Sequence, residues 1–181
     1  MTNQRKLVAA YFLSLDGVAE KADQFLTGWD DETDAAGQKL IATQDTVLLG
    51  RRTYDEWSGY WPTSDVEPFA SFVNAAPKYV ATSKPLDDAW SNSHAVTGDL
   101  ADFVRDLKSR PGGDIGIHGS ISVTRSLLDA GLVDELHLVI VPTVVGTGQK
   151  LLDALGPVRL ETIHGTKTPA GHLLADYRVV H

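Results

Sequence analysis

The chain has 181 residues, 43% hydrophobic and 22% charged, with a net charge of −8 and no cysteine. This length fits one domain over residues 1–181 that builds its own core. The lack of cysteine excludes disulfides and thiolate metal sites and fits a reducing cytoplasm. The negative charge argues against a general nucleic-acid binder or an anionic-membrane binder, although local arginines can still form a phosphate pocket.

Apolar, β-rich runs alternate with helical patterns along the chain. The first run is only about nine residues long, too short to span a membrane, and predicts a buried strand. The predicted strands are Lys6–Leu13, Asp45–Leu49, Lys78–Ala81, Ser93–Val96, Asp114–Ile117 and Glu135–Val141. The predicted helices are Asp34–Thr43, Arg52–Trp57, Asp65–Asn74, Leu100–Lys108 and Ser122–Ala130. This alternation predicts an α/β fold with a mostly parallel central sheet between two helical layers.

The C-terminal segment follows a different pattern. In "VRLETIHGTKTPAGHLLADYRVV", two β-rich runs flank a Pro-Ala-Gly turn. We therefore expect an antiparallel hairpin added to the parallel sheet.

Three predicted strands end in small, hydroxylated or basic residues that suit a phosphate ligand. "TVLLGRRTYDEW" carries a glycine, two arginines and a threonine, "YVATSKPL" two hydroxyl groups and a lysine, and "IGIHGSIS" a glycine and two serines before a helix. Parallel strands gather their carboxyl ends at one edge, where α/β proteins bind ligands. Each segment also has an ordinary structural explanation: surface ion pairs, a turn, or a strand-to-helix joint. The G-x-G-x-x-G fingerprint is absent.

The chain resembles the dihydrofolate-reductase-like superfamily, especially the reductase half of bacterial riboflavin-biosynthesis proteins. Most of the chain takes part, and the matching segments keep the family's order. They are "SLDGV" (14–18), "LLGRRTY" (48–54), "ATSKP" (81–85), "IHGSISVTRSLLDAGLVDEL" (117–136) and "PTVVGTG" (142–148).

The resemblance implies a three-layer αβα fold with NADPH lying across the strand ends. The residues that it assigns to the cofactor are Gly50, Arg51, Arg52, Thr53, Thr82, Ser83, Lys84, Ile117, His118, Gly119, Ser120, Ile121 and Ser122. Arg51, Arg52 and Lys84 favour NADPH over NADH, because the additional phosphate attracts basic neighbours. His118 either touches the cofactor or fills a gap.

Two features depart from the relatives that this resemblance suggests. The zinc-binding deaminase half of the bifunctional riboflavin proteins is not expected, because there is no cysteine and little chain before Lys6. Folate reductases carry a Pro-Trp pair after the first strand, whereas Trp29 here lacks a preceding proline.

Three carboxylates are candidate catalytic groups that would bind the polar edge of the substrate or supply the proton that hydride transfer to a C=N or C=O bond needs. Asp16 follows the first strand in "SLDGV", Glu135 begins an apolar strand, and Asp34 lies near the acidic position of folate reductases. Their alternative explanations are an Asp-Gly turn, a solvated strand end and a favourable helix N-terminus.

Trp57 and Trp61 form an aromatic group that either walls a substrate pocket or packs in the core or at a dimer surface. Gly146 lies in a loop that helps to enclose the substrate in the riboflavin-type relatives. The six histidines show no ligand spacing, so no metal site is expected.

The sequence thus predicts an NADPH-dependent reductase of a pterin-like or ribosylaminopyrimidine-like substrate, a small heteroaromatic molecule. The riboflavin-type resemblance also implies a homodimer. The alternatives are a dihydrofolate reductase proper and a noncatalytic nucleotide-binding or sensing protein on the same fold.

Overall fold

The computed structural model describes residues 5–87 and 90–181, which form an eight-stranded sheet with helices on both faces. The strands are β1 (Leu7–Ser14), β2 (Gln44–Gly50), β3 (Lys78–Ala81), β4 (Ser93–Val96), β5 (Asp114–His118), β6 (Glu135–Val141), β7 (Arg159–Lys167) and β8 (Leu173–Val180). The helices are α1 (Asp31–Ile41), α2 (Arg51–Ser58), α3 (Phe69–Ala75), α4 (Leu100–Ser109) and α5 (Ile121–Asp129). No helix in these two ranges is long and apolar enough to cross a membrane.

The strand order is β4-β3-β2-β5-β1-β6-β8-β7. The strands from β4 to β6 pair in parallel, whereas β8 pairs antiparallel with both β6 and β7. The predicted parallel sheet and C-terminal hairpin are confirmed. The carboxyl ends of the parallel strands consequently lie along one edge of the sheet.

The two faces of the sheet bury separate apolar clusters. On one face, side chains of α4 and α5 such as Val104 and Leu127 pack on alternate residues of the central strands. On the other face, side chains of α2 and α3 such as Tyr54 and Val73 pack on β2 and β3. This double coverage explains why the central strands are apolar on both sides.

Two helices begin three or four residues away from the start that the sequence suggests. The first begins at Asp31 rather than Asp34, because the Asp30 carboxylate accepts the Thr33 N–H at 2.8 Å and caps the helix. Helix α3 begins at Phe69 rather than Asp65. Pro68 precedes it, and a proline disfavours helical geometry in the residue before it.

A buried polar pair lies against glycine in the centre of the sheet. His118 Nε2 lies 2.8 Å from Gln44 Oε1. A Cβ on Gly116 would fall within 2.7 Å of both the Gln44 carboxamide carbon and His118 Nε2. Glycine is required at this position because the pair occupies the space of a side chain.

We expect Gly116→Ala to destabilise the protein by about 2–3 kcal/mol, because the methyl group forces the buried pair out of place. Thermal unfolding measures the effect. Gly37→Ala in α1 is the matched control: no atom lies within 4 Å of its Cβ position. The control should raise stability by about 0.5–1 kcal/mol. Equal midpoints for the two variants would contradict this assignment.

Candidate functional site

The first and third predicted phosphate segments meet at the carboxyl edge of the sheet. The Gly50 N–H donates to Ser120 Oγ at 2.9 Å, and the Ser120 hydroxyl donates to Thr53 Oγ1 at 2.9 Å. A Cβ on Gly50 would lie 3.3 Å from Val123 Cγ2, so glycine permits this close approach. These bonds hold the N-termini of α2 and α5 beside each other, and the N–H groups of a first helical turn attract anions.

This network also changes the roles expected of two residues. The resemblance assigns Thr53 and Ser120 to the cofactor, but the Thr53 hydroxyl accepts from Ser120, and Gly50 occupies the capping position of α2. Both hydroxyl groups are used inside the protein, and both residues are buried. Thr53 and Ser120 therefore shape the site through their hydroxyl groups. The main-chain N–H groups at the N-termini of α2 and α5 remain available to a phosphate.

Gly119 forms the turn between β5 and α5. Its φ is +79°, and a Cβ there would lie 3.3 Å from Cζ2 of Trp57. The left-handed geometry and the indole edge both require glycine. Trp57 thereby lies at the strand ends, next to the helix N-termini.

The second phosphate segment joins the first in a cavity of about 380 Å³. Its lining residues are Arg51, Asp55, Ala81, Thr82, Ser83 and Lys84. The Arg51 guanidinium donates to Asp55 Oδ1 at 2.7 Å and to the Pro85 carbonyl at 2.9 Å. The Thr82 hydroxyl donates to the Lys84 carbonyl at 3.1 Å, so the two cations and the Ser83 hydroxyl are the donors that suit a phosphate here.

A larger cavity of about 590 Å³ lies along the outer strand β4. Trp90 and His94 are among its lining residues, and none of the predicted site residues takes part. We place the candidate site at the smaller cavity, because only that one adjoins the strand ends and carries the cations.

Arg52 lies outside the cationic cavity, although it was predicted to bind phosphate with Arg51. Its guanidinium donates to Glu20 Oε1 at 3.0 Å and to Glu56 Oε1 at 3.2 Å. Adjacent helical residues point in different directions, which separates the two arginines.

Three residues predicted to contact the cofactor have side chains in the core. Ile117 and Ile121 belong to the cluster under α4 and α5. His118 packs edge-on against Phe69, with ring centroids 5.2 Å apart, and burial lowers its pKa to about 4. The His118 side chain thus fills a gap, which is one of the two roles considered for it.

Asp16 anchors a loop. Its carboxylate accepts from the Ser14 hydroxyl at 2.7 Å, the Val145 N–H at 3.0 Å and the Gly146 N–H at 2.8 Å. These bonds, led by that from Ser14, hold its pKa well below the usual range. Hydrogen bonds to the ionised carboxylate favour that form over the protonated one. The catalytic role of Asp16 stays a prediction.

Glu135 lies at the opposite edge of the sheet. It pairs with Val8 at the amino end of β6, whereas Val141 at the other end pairs with Ser14. Six residues of strand separate Glu135 from that end by about 20 Å. Lys6 Nζ and His137 Nε2 bind its carboxylate at 2.9 and 3.0 Å. Glu135 therefore does not lie at the edge that carries Asp16, and it is an ion-paired strand end rather than the solvated one considered as its alternative.

Asp34 lies in the first turn of α1 and accepts from Gln38 Nε2 at 2.5 Å. Trp29, just before this helix, packs against Phe12 of β1 with ring centroids 5.7 Å apart. The catalytic role of Asp34 stays a prediction.

The two tryptophans predicted to contact substrate are both half-buried and pack against the cluster under α2 and α3. Trp61 packs against Phe69, with ring centroids 4.7 Å apart, beside the cluster under α2 and α3. This contact fits the alternative interpretation of Trp61 as a core residue. Trp57 contacts Trp61 edge-on at 5.6 Å and also reaches Gly119. Gly146 is exposed, with φ +82°, in the loop that Asp16 holds.

The loops after β1 and β6 form one unit through contacts that no sequence pattern indicates. Leu15 and Leu151 donate their N–H groups to the carbonyls of Thr143 and Gly17 at 2.8 and 3.0 Å. Arg125 of α5 donates to the Leu151 carbonyl at 3.0 Å and also binds that of Lys150. Arg125 and Glu20 were not predicted as site residues, because their partners lie 25 or more positions away.

Within residues 5–87 and 90–181, no group of three or more His, Asp or Glu side chains is placed to hold a metal ion.

The fold is α/β and dihydrofolate-reductase-like. A dihydrofolate reductase from Enterococcus faecalis, complexed with NADP(H) and RAB-propyl, superposes with a TM-score of 0.65 at 17% identity, covering 98% of both chains. A protein from Shewanella sp. PV-4 named for riboflavin biosynthesis gives a TM-score of 0.79 at 18% identity, over 97% of this chain and 99% of that one.

Residues 5–174 match the model of the RibD C-terminal domain, and the chain belongs to this family. YyaP of Bacillus subtilis strain 168, which is named an uncharacterized protein, is 27% identical over 172 residues, or 91% of each chain. A deaminase and 5-amino-6-(5-phosphoribosylamino)uracil reductase from Thermotoga maritima gives a TM-score of 0.68 at 14% identity. The chain covers 57% of that longer protein and is itself covered to 98%.

We expect stability to fall as the pH drops from about 6.5 to 4, because the unfolded His118 binds a proton that the buried ring resists. This loss should approach about 3 kcal/mol. His118→Gln should weaken the dependence in this window, as denaturant unfolding at several pH values will test. His181→Gln is the control, since that residue is exposed at the C-terminus. An undiminished pH dependence in His118→Gln would contradict the assignment.

Proposed function

We propose that this protein is an NADPH-dependent oxidoreductase that transfers hydride to a pterin-like or ribosylaminopyrimidine-like molecule. The observation that carries the proposal is the cavity containing Arg51 and Lys84 beside the paired N-termini of α2 and α5. A nicotinamide dinucleotide has a pyrophosphate for the helix N-termini, and NADPH adds a phosphate for the cations. The family membership and the reductases among the similar folds support the same class of reaction.

The residues present fit this cofactor. Gly50 and Gly119 place no side chain at the strand ends, where a Cβ would crowd Val123 and Trp57 at 3.3 Å, and a backbone without Cβ atoms suits close approach by a pyrophosphate. Arg51 and Lys84, with Ser83, would hold the additional phosphate. When bound, the nicotinamide supplies the hydride.

The protein must place the substrate and provide for one proton. Reduction of a C=N or C=O bond puts the hydride on carbon and a proton on nitrogen or oxygen. The Asp16 carboxylate is occupied by Ser14 and two loop N–H groups and Glu135 lies at the far edge, so Asp34 is the remaining member of the predicted set. We assign to Asp34 the binding of the polar edge of a heteroaromatic substrate and the transfer to it of the proton, which solvent supplies, with Trp57 as an aromatic wall near the nicotinamide.

Cofactor binding is tested by the thermal midpoint with NADPH, with NADH and without ligand. A ligand at one hundred times its dissociation constant adds about 2.7 kcal/mol of stability, a shift of several degrees. We expect Arg51→Ala and Lys84→Ala each to weaken NADPH binding about tenfold and to leave NADH binding nearly unchanged, because each removes a charged partner of the additional phosphate.

Arg110→Ala is the matched control, because Arg110 is an exposed arginine with an ion pair to Asp106 at the other end of α4 from the strand ends. Equal losses for NADPH and NADH would contradict the assignment of the additional phosphate. No shift with either nucleotide would contradict the reductase itself. Turnover screens with dihydrofolate and with an aminopyrimidine riboside separate the two enzyme classes, and binding without any turnover favours the sensing protein.

We further propose that the protein forms a homodimer in the cytoplasm. Eight of the nine residues of β7 are exposed, and the outer edge of this strand has no neighbour in the sheet. Ile163 and Leu173 are each 45% exposed on this hairpin. Long exposed edges usually have a partner, and a second copy of the chain is the partner that the family resemblance implies.

Light scattering after size-exclusion chromatography should give a mass near twice 19.6 kDa. Ile163→Lys should shift it toward the monomer, because a charge on the edge strand opposes pairing. Val144→Lys, also an exposed apolar position but in the loop after β6, is the control and should leave the mass unchanged. A monomeric wild type would contradict the proposal.

A further inference from the structure

Glu20 connects three separate parts of the chain. Its Oε1 accepts from Arg52 of α2 at 3.0 Å, and its Oε2 accepts from the Gln149 N–H at 3.1 Å. Glu20 itself lies in the loop after β1, so one carboxylate joins this loop, the loop after β6 and the helix that begins at the cofactor site.

Both loops at this point are closely fitted. The Ala19 N–H donates to the Gln149 carbonyl at 2.9 Å. Gly148 has φ +115°, and a Cβ there would lie 2.9 Å from Val18 Cγ1. The loops therefore come together as one unit, and Glu20 is placed to attach that unit to α2.

The two neighbouring arginines of α2 serve different parts of the site. Arg51 lines the cationic cavity with Lys84, whereas Arg52 binds Glu20 and, one turn along its own helix, Glu56. The bonds from the Gln149 N–H and from Arg52, in that order, lower the pKa of Glu20, which is ionised at neutral pH. An ionised Glu20 and an always-charged guanidinium form a persistent but salt-sensitive contact.

We propose that Glu20 and Arg52 are positioning residues that couple the cofactor end of α2 to the loops enclosing the substrate. Arg52 is thus assigned to loop placement and Arg51 to phosphate binding. This inference rests on the proposed function for the identity of the cofactor. The ion pair and its effect on the loop can be tested separately.

The test is amide hydrogen exchange at Gln149 in the full chain, because this N–H donates to Glu20. We expect Arg52→Ala and Glu20→Ala each to speed exchange at Gln149 severalfold. Glu20→Gln keeps an acceptor oxygen and should give a smaller increase. Glu56→Ala is the matched control: it removes the other partner of Arg52 and should change the rate less than twofold. The Leu15 and Leu151 amides, which donate to carbonyls, serve as internal references.

Salt tests whether the contact is ionic, and NADPH provides a readout that a purely structural contact would not move. Raising NaCl from about 20 to 500 mM should speed Gln149 exchange in the wild type and not in Glu20→Gln, because salt screens an exposed ion pair. In the wild type, saturating NADPH should slow Gln149 exchange below the rate measured without ligand. In Arg52→Ala, NADPH should still bind within about twofold of its wild-type affinity but no longer slow Gln149.

Three results would overturn the inference. One is unchanged Gln149 exchange in Arg52→Ala. Another is NADPH binding to the wild type with no effect on Gln149. The third is a loss of NADPH affinity in Arg52→Ala as large as that in Arg51→Ala. If NADPH binds to no form of the protein, the proposed cofactor fails, and unchanged exchange at Gln149 in Arg52→Ala still overturns the ion pair's role.

Discussion

The site depends on the hydrogen bond between the Gly50 N–H and the Ser120 hydroxyl. It joins the end of β2 to the start of α5 across 70 residues of sequence, and Ser120 passes the link to Thr53 in α2. A buried hydroxyl is costly to leave unpaired, so this chain of donors fixes the two helix N-termini relative to each other. The approach is possible because position 50 is glycine. The parallel pairing of β2 with β5 brings both helix N-termini to one edge, and this bond links them there.

Positive and negative side chains lie at different places along the edge of the sheet where the parallel strands end. Arg51 and Lys84 lie in one cavity, where they favour a doubly charged phosphate. Asp16 and Glu20 lie in the loops, where they bind N–H groups rather than a ligand. A carboxylate that accepts main-chain N–H groups orders a loop without apolar packing, which suits the exposed residues 144–149. One end of the edge is thus arranged for an anion, and the other is closed by internal hydrogen bonds.

His137 of β6 and His118 of β5 show how the same residue type takes different charge states in different surroundings. His137 lies between Glu135 and Asp176, 3.0 Å from each carboxylate. The two carboxylates raise its pKa even though burial, the largest single effect, opposes them. His118 has no carboxylate partner, and burial alone lowers its pKa. A sequence shows a histidine in a strand in both cases, and only its neighbours decide the charge.

The sequence by itself determined the α/β class, the parallel sheet with its C-terminal hairpin, and the grouping of the three strand-end segments. These follow from local periodicity, turn residues and the geometry of parallel strands, which act over short stretches of chain. Tertiary structure alone decided that Arg51 faces the cavity while Arg52 faces Glu20, that Asp16 anchors a loop, and that Glu135 lies at the opposite edge of the sheet from the strand ends. Those outcomes depend on strand register and helix rotation, because one step along either element redirects a side chain.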